Sequence, residues 1–253
     1  MQSKNYIVQI SDTHLFGDKN KKINGANSYQ NLKAVMNNIA ALPFKPELIV
    51  VTGDLSQDCT FESYQHLANL LNRAGTRYTL MPGNHDDVDV INRVFDFNWV
   101  KDNVDYSVEI NGWFLYMLDT SVYPEEKGFL SDKQLEQFNT SLKKNQNKPT
   151  IVFMHHHPVL VNSSWIDRST LQDSHKYLKI VNSNSQIKAV MFGHIHQVFE
   201  TKIDNVIYCS APSSCYQVLP RTEMFTIEKL TPGYRIIEVN NENIDTSVCW
   251  VSS

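Results

Sequence analysis

Histidine, aspartate and asparagine recur in short polar clusters, each of which directly follows an apolar run of the sequence. The five clusters are Asp12-Thr13-His14, Gly53-Asp54, Gly83-Asn84-His85-Asp86, His155-His156-His157-Pro158 and Gly193-His194-Ile195-His196. Imidazole nitrogens combined with carboxylate and amide oxygens suit Mn, Fe or Zn better than Ca or Mg. One such cluster would be weak support for a metal site, because aspartate and asparagine are also common in turns. Five clusters together predict one metal site assembled from the ends of several strands.

The spacing inside the clusters indicates how these side chains reach a common ion. Asp12 and His14 are two residues apart, as are His194 and His196, so both members of a pair lie on one side of an extended chain. Asp54 follows a strand directly, and its two carboxylate oxygens make it the candidate bridge between two ions. We therefore expect a binuclear site rather than a single ion.

The elements that must position the clusters alternate in the first half of the chain. Buried strands are predicted at residues 6–10, 48–52 and 77–81, and amphipathic helices at 28–41 and 60–74 lie between them. This β-α-β-α-β order favours parallel strands with helices packed against them. The first three clusters would then meet at one edge of a sheet.

The second half mixes helical segments with hairpin signals. Asn111-Gly112 predicts a tight turn between strands 106–110 and 113–118. Helices are predicted from Ser131 onward and at 173–181, and strands at 150–154, 188–192, 198–203, 206–210, 224–229 and 234–239. The last two strands are separated by Pro232-Gly233, which predicts a hairpin. Because the composition does not shift along the chain, we expect one domain over residues 1–253.

The overall charge narrows the classes of partner. The net charge is −4, with 20% charged residues and no long basic run, which argues against a nucleic-acid or membrane surface. An acidic chain that binds a small anionic substrate needs a local source of positive charge, and metal ions would supply it. Nothing in the sequence specifies an oligomeric state.

The cellular compartment is indicated by the N-terminus and the cysteines. The first residues have no apolar core of a secretory signal, and no segment approaches the ~18 apolar residues of a membrane span. The four cysteines form no CxxC pair, which is typical of buried thiols in a reducing compartment. We expect a cytoplasmic protein, with a Cys209–Cys215 bridge as the alternative arrangement.

The complete set of clusters resembles the motifs of a known enzyme family. The order D-x-H, G-D, G-N-H-D, H-x-x-P and G-H-x-H, spanning residues 12 to 196, resembles that of the calcineurin-like metallophosphoesterases. The stretches 53–58, 154–158, 164–167 and 193–197 are also similar to those of bacterial class III 3′,5′-cyclic AMP phosphodiesterases. The resemblance implies a four-layer α/β/β/α sandwich of two mixed β-sheets flanked by helices, with the metal site at the carboxyl ends of the strands.

The resemblance also implies a division of the ligands between two divalent ions, Fe or Mn by preference and Zn as an alternative. One ion would take Asp12, His14, Asp54 and His196, and the other would take Asp54, Asn84, His155 and His194. His85 would be catalytic without binding metal. The substrate would be contacted by His14, Asn84, His85 and His196.

The chemistry implied is hydrolysis of 3′,5′-cyclic AMP to 5′-AMP. Two divalent ions about 3.5–4 Å apart lower the pKa of a water molecule towards neutrality, and the resulting hydroxide would attack phosphorus. A protonated His85 would assist departure of the ribose oxygen. Trp165 would stack on the base or pack in the core, and Arg168 would contact a phosphate or ribose.

Several alternatives stay open on the sequence. The same chemistry could act on another phosphodiester, a pyrophosphate or a phosphomonoester, whereas a metal-free scaffold would lack ligands that this chain retains. Many relatives carry an aspartate three positions after the bridging one to orient the catalytic histidine, but here that position is Gln57 and the aspartate is Asp58. Among the three consecutive histidines, His155 is the expected ligand, with His156 pointing away and His157 lining the cleft or packing under Pro158.

Overall fold

Most strands of the protein form two mixed sheets. The computed structural model describes residues 4–95, 106–241 and 243–252. In chain order the strands are β1 (Asn5–Ile10), β2 (Leu48–Thr52), β3 (Tyr78–Met81), β4 (Tyr106–Ile110), β5 (Trp113–Leu118), β6 (Thr150–Met154), β7 (Ile187–Phe192), β8 (Glu200–Ile203), β9 (Val206–Ser210), β10 (Gln217–Val218), β11 (Ile227–Glu228), β12 (Gly233–Asn240) and β13 (Asn243–Trp250). The first sheet has the order β13-β12-β1-β2-β3, the second has the order β4-β5-β6-β7-β9-β8, and β10 pairs with β11 alone.

Among the described residues, five helices flank these sheets. They are α1 (Ser28–Ala40), α2 (Phe61–Arg73), α3 (Val88–Phe95), α4 (Asp132–Lys144) and α5 (Ser174–Asn182), and Asp167–Ser169 adds a single 3₁₀ turn. The helix starts are encoded locally. The Thr60 side chain accepts a hydrogen bond from the Ser63 amide at the start of α2, and Ser131 forms a capping box with Gln134 at the start of α4.

The parallel strands decide where the polar clusters meet. Strands β1, β2 and β3 run parallel to one another, and so do β5, β6, β7 and β9. Antiparallel neighbours close the edges, with β12 against β1, β4 against β5 and β8 against β9. Because ligands bind outside the carboxyl ends of strands in such sheets, the ends of the parallel strands form the natural edge for a site.

The alternation of β6 shows the layers. Ile151 and Phe153 belong to the hydrophobic core that joins the two sheets and includes helices α1 to α3. Val152 and Met154 point to the other face and pack with residues of α4 and α5 such as Phe138 and Tyr177. The order of layers is therefore helices, sheet, sheet, helices, and the predicted α/β/β/α sandwich is confirmed.

The end of the chain differs from the prediction. The strand predicted at 224–229 shortens to β11, which pairs with β10, and the predicted hairpin to 234–239 is wrong. Strand β12 instead pairs with β1, with Ile237 opposite Ile7, and with β13. Neither α3 nor β13 was predicted. The partner of β12 is chosen by closure of the first sheet, which local patterning does not encode.

Two smaller predictions concern the cysteines and the membrane. All four cysteines are free thiols, so the alternative Cys209–Cys215 bridge does not form. Within the described part of the chain, no helix has the length and apolar character needed to cross a bilayer.

Candidate metal centre

The structure brings the seven candidate ligands together at the carboxyl ends of the strands. Asp12 and His14 follow β1, Asp54 follows β2, Asn84 follows β3, His155 follows β6, and His194 and His196 follow β7. Asp12, His14, Asp54 and His196 form one buried group in which the potential ligand atoms lie within 4.8 Å of one another. This group is the set that the resemblance assigned to one ion.

The two carboxylate oxygens of Asp54 face different partners. Oδ2 lies 3.5 Å from Nε2 of His14, whereas Oδ1 lies 3.3 Å from Nε2 of His155. The same Nε2 of His155 is 3.1 Å from Oδ1 of Asn84. Asp54 therefore stands between two groups of ligands, as a bridging carboxylate requires.

Backbone carbonyls fix the tautomers of two ligand histidines. Nδ1 of His196 donates to the carbonyl oxygen of Tyr216 at 2.9 Å, and Nδ1 of His155 donates to that of Thr52 at 2.7 Å. A carbonyl oxygen only accepts, so each neutral ring carries its proton on Nδ1 and turns the lone pair of Nε2 to the site. Such bonds are the outer contacts that orient metal-binding imidazoles.

The lone pairs converge on positions that suit a cation. Nε2 of His14 and Nε2 of His196 lie 2.9 Å apart, and Nδ1 of His14 is already bonded to Gln57 at 2.8 Å. Nε2 of His194 is buried and has no hydrogen-bond partner among the described residues. Unshared lone pairs at this distance repel each other, and a divalent ion removes the repulsion. The residues present therefore fit two ions.

Burial and the carboxylates shape the protonation of the cluster. Burial lowers the pKa of His14 to about 3 and holds that of His194 well below its ordinary value. Burial also opposes the charge on His155, but the neighbouring Asp54 outweighs it and raises the pKa of His155 to about 9. Burial raises the pKa of Asp12 as well. A divalent ion supplies the positive charge that burial denies to most of these imidazoles.

Five of the ligands also share an unusual backbone conformation. Positive φ angles occur at Asp12 (54°), His14 (43°), Asp54 (51°), His194 (71°) and His196 (52°). Residues other than glycine rarely adopt this left-handed region, and each such residue costs on the order of 1 kcal/mol or more. Contacts of the folded protein must therefore maintain these five backbone conformations, all of which occur at candidate metal ligands.

Asp86 supports the site through hydrogen bonds to the backbone, and this role was not predicted from the sequence. Its buried carboxylate accepts hydrogen bonds from the amides of Leu55, Ser56 and Gly83, so it ties the turn of Asp54 to the loop of Asn84. Burial, with a contribution from the charge of Asp54, raises its pKa to about 6. A β-carbon at Gly83 would overlap Oδ1 of Asp54, so the glycine allows this close approach. The signal in the sequence that could have indicated this role is the position of Asp86, two residues after the candidate ligand Asn84.

Gln57, rather than Asp58, links the ligands to His85. Its Oε1 accepts from Nδ1 of His14, and its Nε2 lies 3.4 Å from Nδ1 of His85. Asp58 faces away and accepts from the amide of Gly17 and from the backbone and hydroxyl groups of Thr60. Asp58 therefore does not contact His85, and Gln57 takes that position.

The second and third members of the histidine run are also placed. The expectation that His156 points away is wrong, because its ring lies 4.9 Å from that of His155 and 4.6 Å from that of His194. Residues 155–157 follow the end of β6, so strand alternation no longer applies. Nδ1 of His156 is 2.8 Å from the Thr120 hydroxyl, and the His156 ring forms a buried group of three imidazoles with His155 and His194, the ligands expected for the second ion.

His157 is fully buried, and its Nε2 lies 3.4 Å from Oδ1 of Asp167. That carboxylate also accepts from the amides of Val161 and Ser163. His157 therefore supports the loop at 161–167 from beneath, and the structure does not bring it to the wall of the cleft.

A cleft opens above the metal ligands. It has a volume of about 210 Å³, and its lining includes His85, Asn84 and three aromatic side chains, Trp165, Tyr216 and Phe225. Arg168 is exposed and does not line it. The contributions of Tyr216 and Phe225 were not predicted, because they lie beyond the last motif.

Sequence comparison places the chain among known phosphoesterases. Residues 6–198 match the model of the calcineurin-like phosphoesterase family. A 3′,5′-cyclic-nucleotide phosphodiesterase of Nostoc sp. is 35% identical over 92% of this chain and 87% of its own length. The 3′,5′-cyclic adenosine monophosphate phosphodiesterase CpdA of Vibrio vulnificus is 31% identical over 98% of this chain and 90% of its own length.

Structural comparison agrees at the level of the fold. A dimetal phosphatase from Danio rerio superimposes with a TM-score of 0.69 over 98% of this chain and 99% of that one, at 10% sequence identity. The matched motifs, the sandwich and the ligand geometry lead to one conclusion: the chain belongs to the calcineurin-like phosphoesterase family.

Proposed function

We propose that the protein is a binuclear metal-dependent phosphodiesterase that hydrolyses 3′,5′-cyclic AMP to 5′-AMP. The observation that carries this proposal is the placement of Asp54 between two sets of ligands whose nitrogen lone pairs converge. The choice of cyclic AMP is supported by the named activities of relatives that are about one third identical over nearly the whole chain.

The proposed ligands follow the division of the site. Asp12, His14, Asp54 and His196 would hold one ion, and Asp54, Asn84, His155 and His194 would hold the other. Bound there, two divalent ions would lower the pKa of a water molecule and neutralise the charge that develops on the phosphate. Iron or manganese is the preferred occupant and zinc the alternative, since all three accept imidazole and carboxylate ligands.

His85 would act on the substrate directly. Gln57 uses its oxygen for His14, so its amide hydrogen points to Nδ1 of His85. With Nδ1 beside Gln57, Nε2 is the ring nitrogen left for the substrate, and a protonated His85 would donate its Nε2 proton to the ribose oxygen as the ester bond breaks and become neutral. His14, Asn84 and His196 also line the cleft and would contact the phosphate with His85.

The charge of the cleft favours a substrate with one phosphate group. Glu126 is exposed and lines the cleft, and the lining formed by the described residues includes no lysine or arginine. Apart from the proposed metal ions, the described lining therefore has no positive charge that would bind a second phosphate group. This observation favours a phosphodiester over a pyrophosphate.

The remaining features of the proposal concern the chain as a whole. We propose one metallophosphoesterase domain over residues 1–253, since a single core contains Ile7 of the first sheet and Met191 of the second. A cytoplasmic location is supported by the four free thiols.

Removal of metal tests the proposal. We expect a chelator to abolish the release of 5′-AMP from cyclic AMP and manganese to restore it. The reason is that the proposed activation of the attacking water depends on the metal ions. Chromatography of the products from cyclic AMP, 2′,3′-cyclic AMP, an aryl phosphodiester and an aryl phosphomonoester would be compared at equal protein concentration. Activity that survives chelation would contradict the mechanism, and preferred turnover of another ester would contradict the substrate.

A substitution at Gln57 tests the link between metal and His85. We expect Gln57→Leu to lower kcat and to weaken metal binding, each by roughly 10–100-fold, because outer hydrogen bonds typically contribute this much. The leucine retains the volume but neither orients His14 nor contacts Nδ1 of His85. Metal titration and steady-state kinetics would measure the two effects separately.

The neighbouring Asp58 provides the matched control. Asp58→Asn is expected to keep kcat within about three-fold, because its contacts to Gly17 and Thr60 stabilise a loop and do not reach the site. A large loss of kcat for Asp58→Asn together with an active Gln57→Leu would reverse the assignment.

A further inference from the structure

Three aromatic side chains extend from the metal ligands along one wall of the cleft. The ring of Tyr216 lies 4.4 Å from that of His196. Phe225 stands 6.4 Å from Tyr216 and 5.2 Å from Trp165, nearly perpendicular to both at interplanar angles of 76° and 85°. These rings form a corner of aromatic surfaces beside the position of the scissile phosphate.

The loops that carry this corner are held in place by hydrogen bonds. The amide of Arg221, in the loop of Phe225, donates to the Ser163 hydroxyl at 2.8 Å, which joins that loop to the loop of Trp165. Asp167 accepts from the amide of Ser163 at 3.1 Å and shapes the second loop. The corner is therefore formed before a ligand enters, which reduces the entropy lost on binding.

Core packing does not account for the exposure of Phe225. Phe225 is 46% exposed, and its neighbour Met224 is 76% exposed. Trp165 is half-buried and packs against the core that contains residues of α4 and α5, and Tyr216 is also half-buried. A large ring displayed at the rim of a cleft indicates a surface for a ligand, since apolar area left in water gains nothing for the fold.

We propose that Trp165, Tyr216 and Phe225 form the subsite for the heteroaromatic base of the substrate, with Phe225 as its exposed stacking surface. The aromatic corner suits a flat, uncharged ring, and the carboxylate of Glu126, which also lines the cleft, would repel an anion. The inference rests on the proposed function, since it names the part of a nucleotide that lies outside the metal site.

The test compares a ligand that carries the base with one that carries a hydroxyl group in its place. The metal-loaded protein would be titrated calorimetrically with 5′-AMP and with ribose 5-phosphate. We expect Phe225→Leu to raise the Kd of 5′-AMP by about ten-fold, as loss of one base–aromatic stack predicts, and to change the Kd of ribose 5-phosphate by less than about two-fold. Because Phe225 is exposed, this substitution should leave the fold intact.

Phe61→Leu is the matched control. Phe61 is 42% exposed at the start of α2 and does not line the cleft, so neither Kd should change. The proposal is overturned if the wild-type protein binds both ligands equally, or if Phe225→Leu weakens both to the same extent.

These outcomes are independent of turnover. A protein that binds 5′-AMP through its base but does not hydrolyse cyclic AMP contradicts the proposed function alone. A protein that hydrolyses cyclic AMP but binds 5′-AMP and ribose 5-phosphate with the same Kd contradicts the proposed subsite alone.

Discussion

Asp54→Asn is expected to reduce the bound metal from two ions to at most one per chain and to lower kcat/KM by on the order of 10³-fold or more, as loss of several kcal/mol of metal stabilisation implies. The side chain of asparagine is isosteric but has a single oxygen and no charge. In Asp54, Oδ2 lies 3.5 Å from Nε2 of His14 and Oδ1 lies 3.3 Å from Nε2 of His155. Asparagine cannot present a carboxylate oxygen to both groups of ligands. Elemental analysis after gel filtration would give the metal content, and steady-state kinetics would give the rate.

The control for this change is Asp132→Asn. Asp132 is exposed and pairs with Lys176 on the surface, so both metal content and rate should be unchanged. If Asp54→Asn retained two tightly bound ions and a rate within about ten-fold, the bridging role would be wrong. Thermal unfolding of both variants would show whether any loss reflects misfolding.

His85→Ala is expected to lower kcat by about 10²–10⁴-fold while both ions remain bound, the range typical for loss of a general acid. The ring lines the cleft and contacts Gln57, but it is absent from both groups of potential metal ligands. The amide of His85 donates to Oδ1 of Asp54 at 3.0 Å, and this backbone contact survives the substitution. Metal content and kcat, measured on the same preparation, separate the two roles.

His175→Ala is the matched control, because this histidine is exposed on α5. It should leave kcat and metal content unchanged. Loss of one ion from His85→Ala would make His85 a ligand and would remove it as the proton donor. An unchanged kcat with both ions bound would instead show that the leaving oxygen departs without its help.

Much of the site follows from local features of the sequence. Ile151, Phe153 and His155 continue one face of β6, so strand alternation is sufficient to direct His155 toward the space between the sheets. The helix starts at Thr60 and Ser131 follow from side chains that bond to the next turn of backbone. Such features depend on neighbours in the chain and can be predicted from it.

The support around the ligands required the folded chain. Gln57 and Asp58 are adjacent in sequence, but the turn after Leu55 directs only Gln57 to the metal site. His156 lies beyond the end of β6, where alternation gives no direction. The left-handed turns at the ligands are likewise imposed by surrounding contacts, including those of Asp86.

The sequence by itself determined the ligand types, their positions after strands and the layered fold, because hydrophobic period and capping act over a few residues. Only the tertiary structure decided that each oxygen of Asp54 serves a different histidine and that Phe225 stands beside Trp165. It also decided that β12 pairs with β1. These contacts join residues far apart in the chain, and their energies are realised only when the two sheets close on each other.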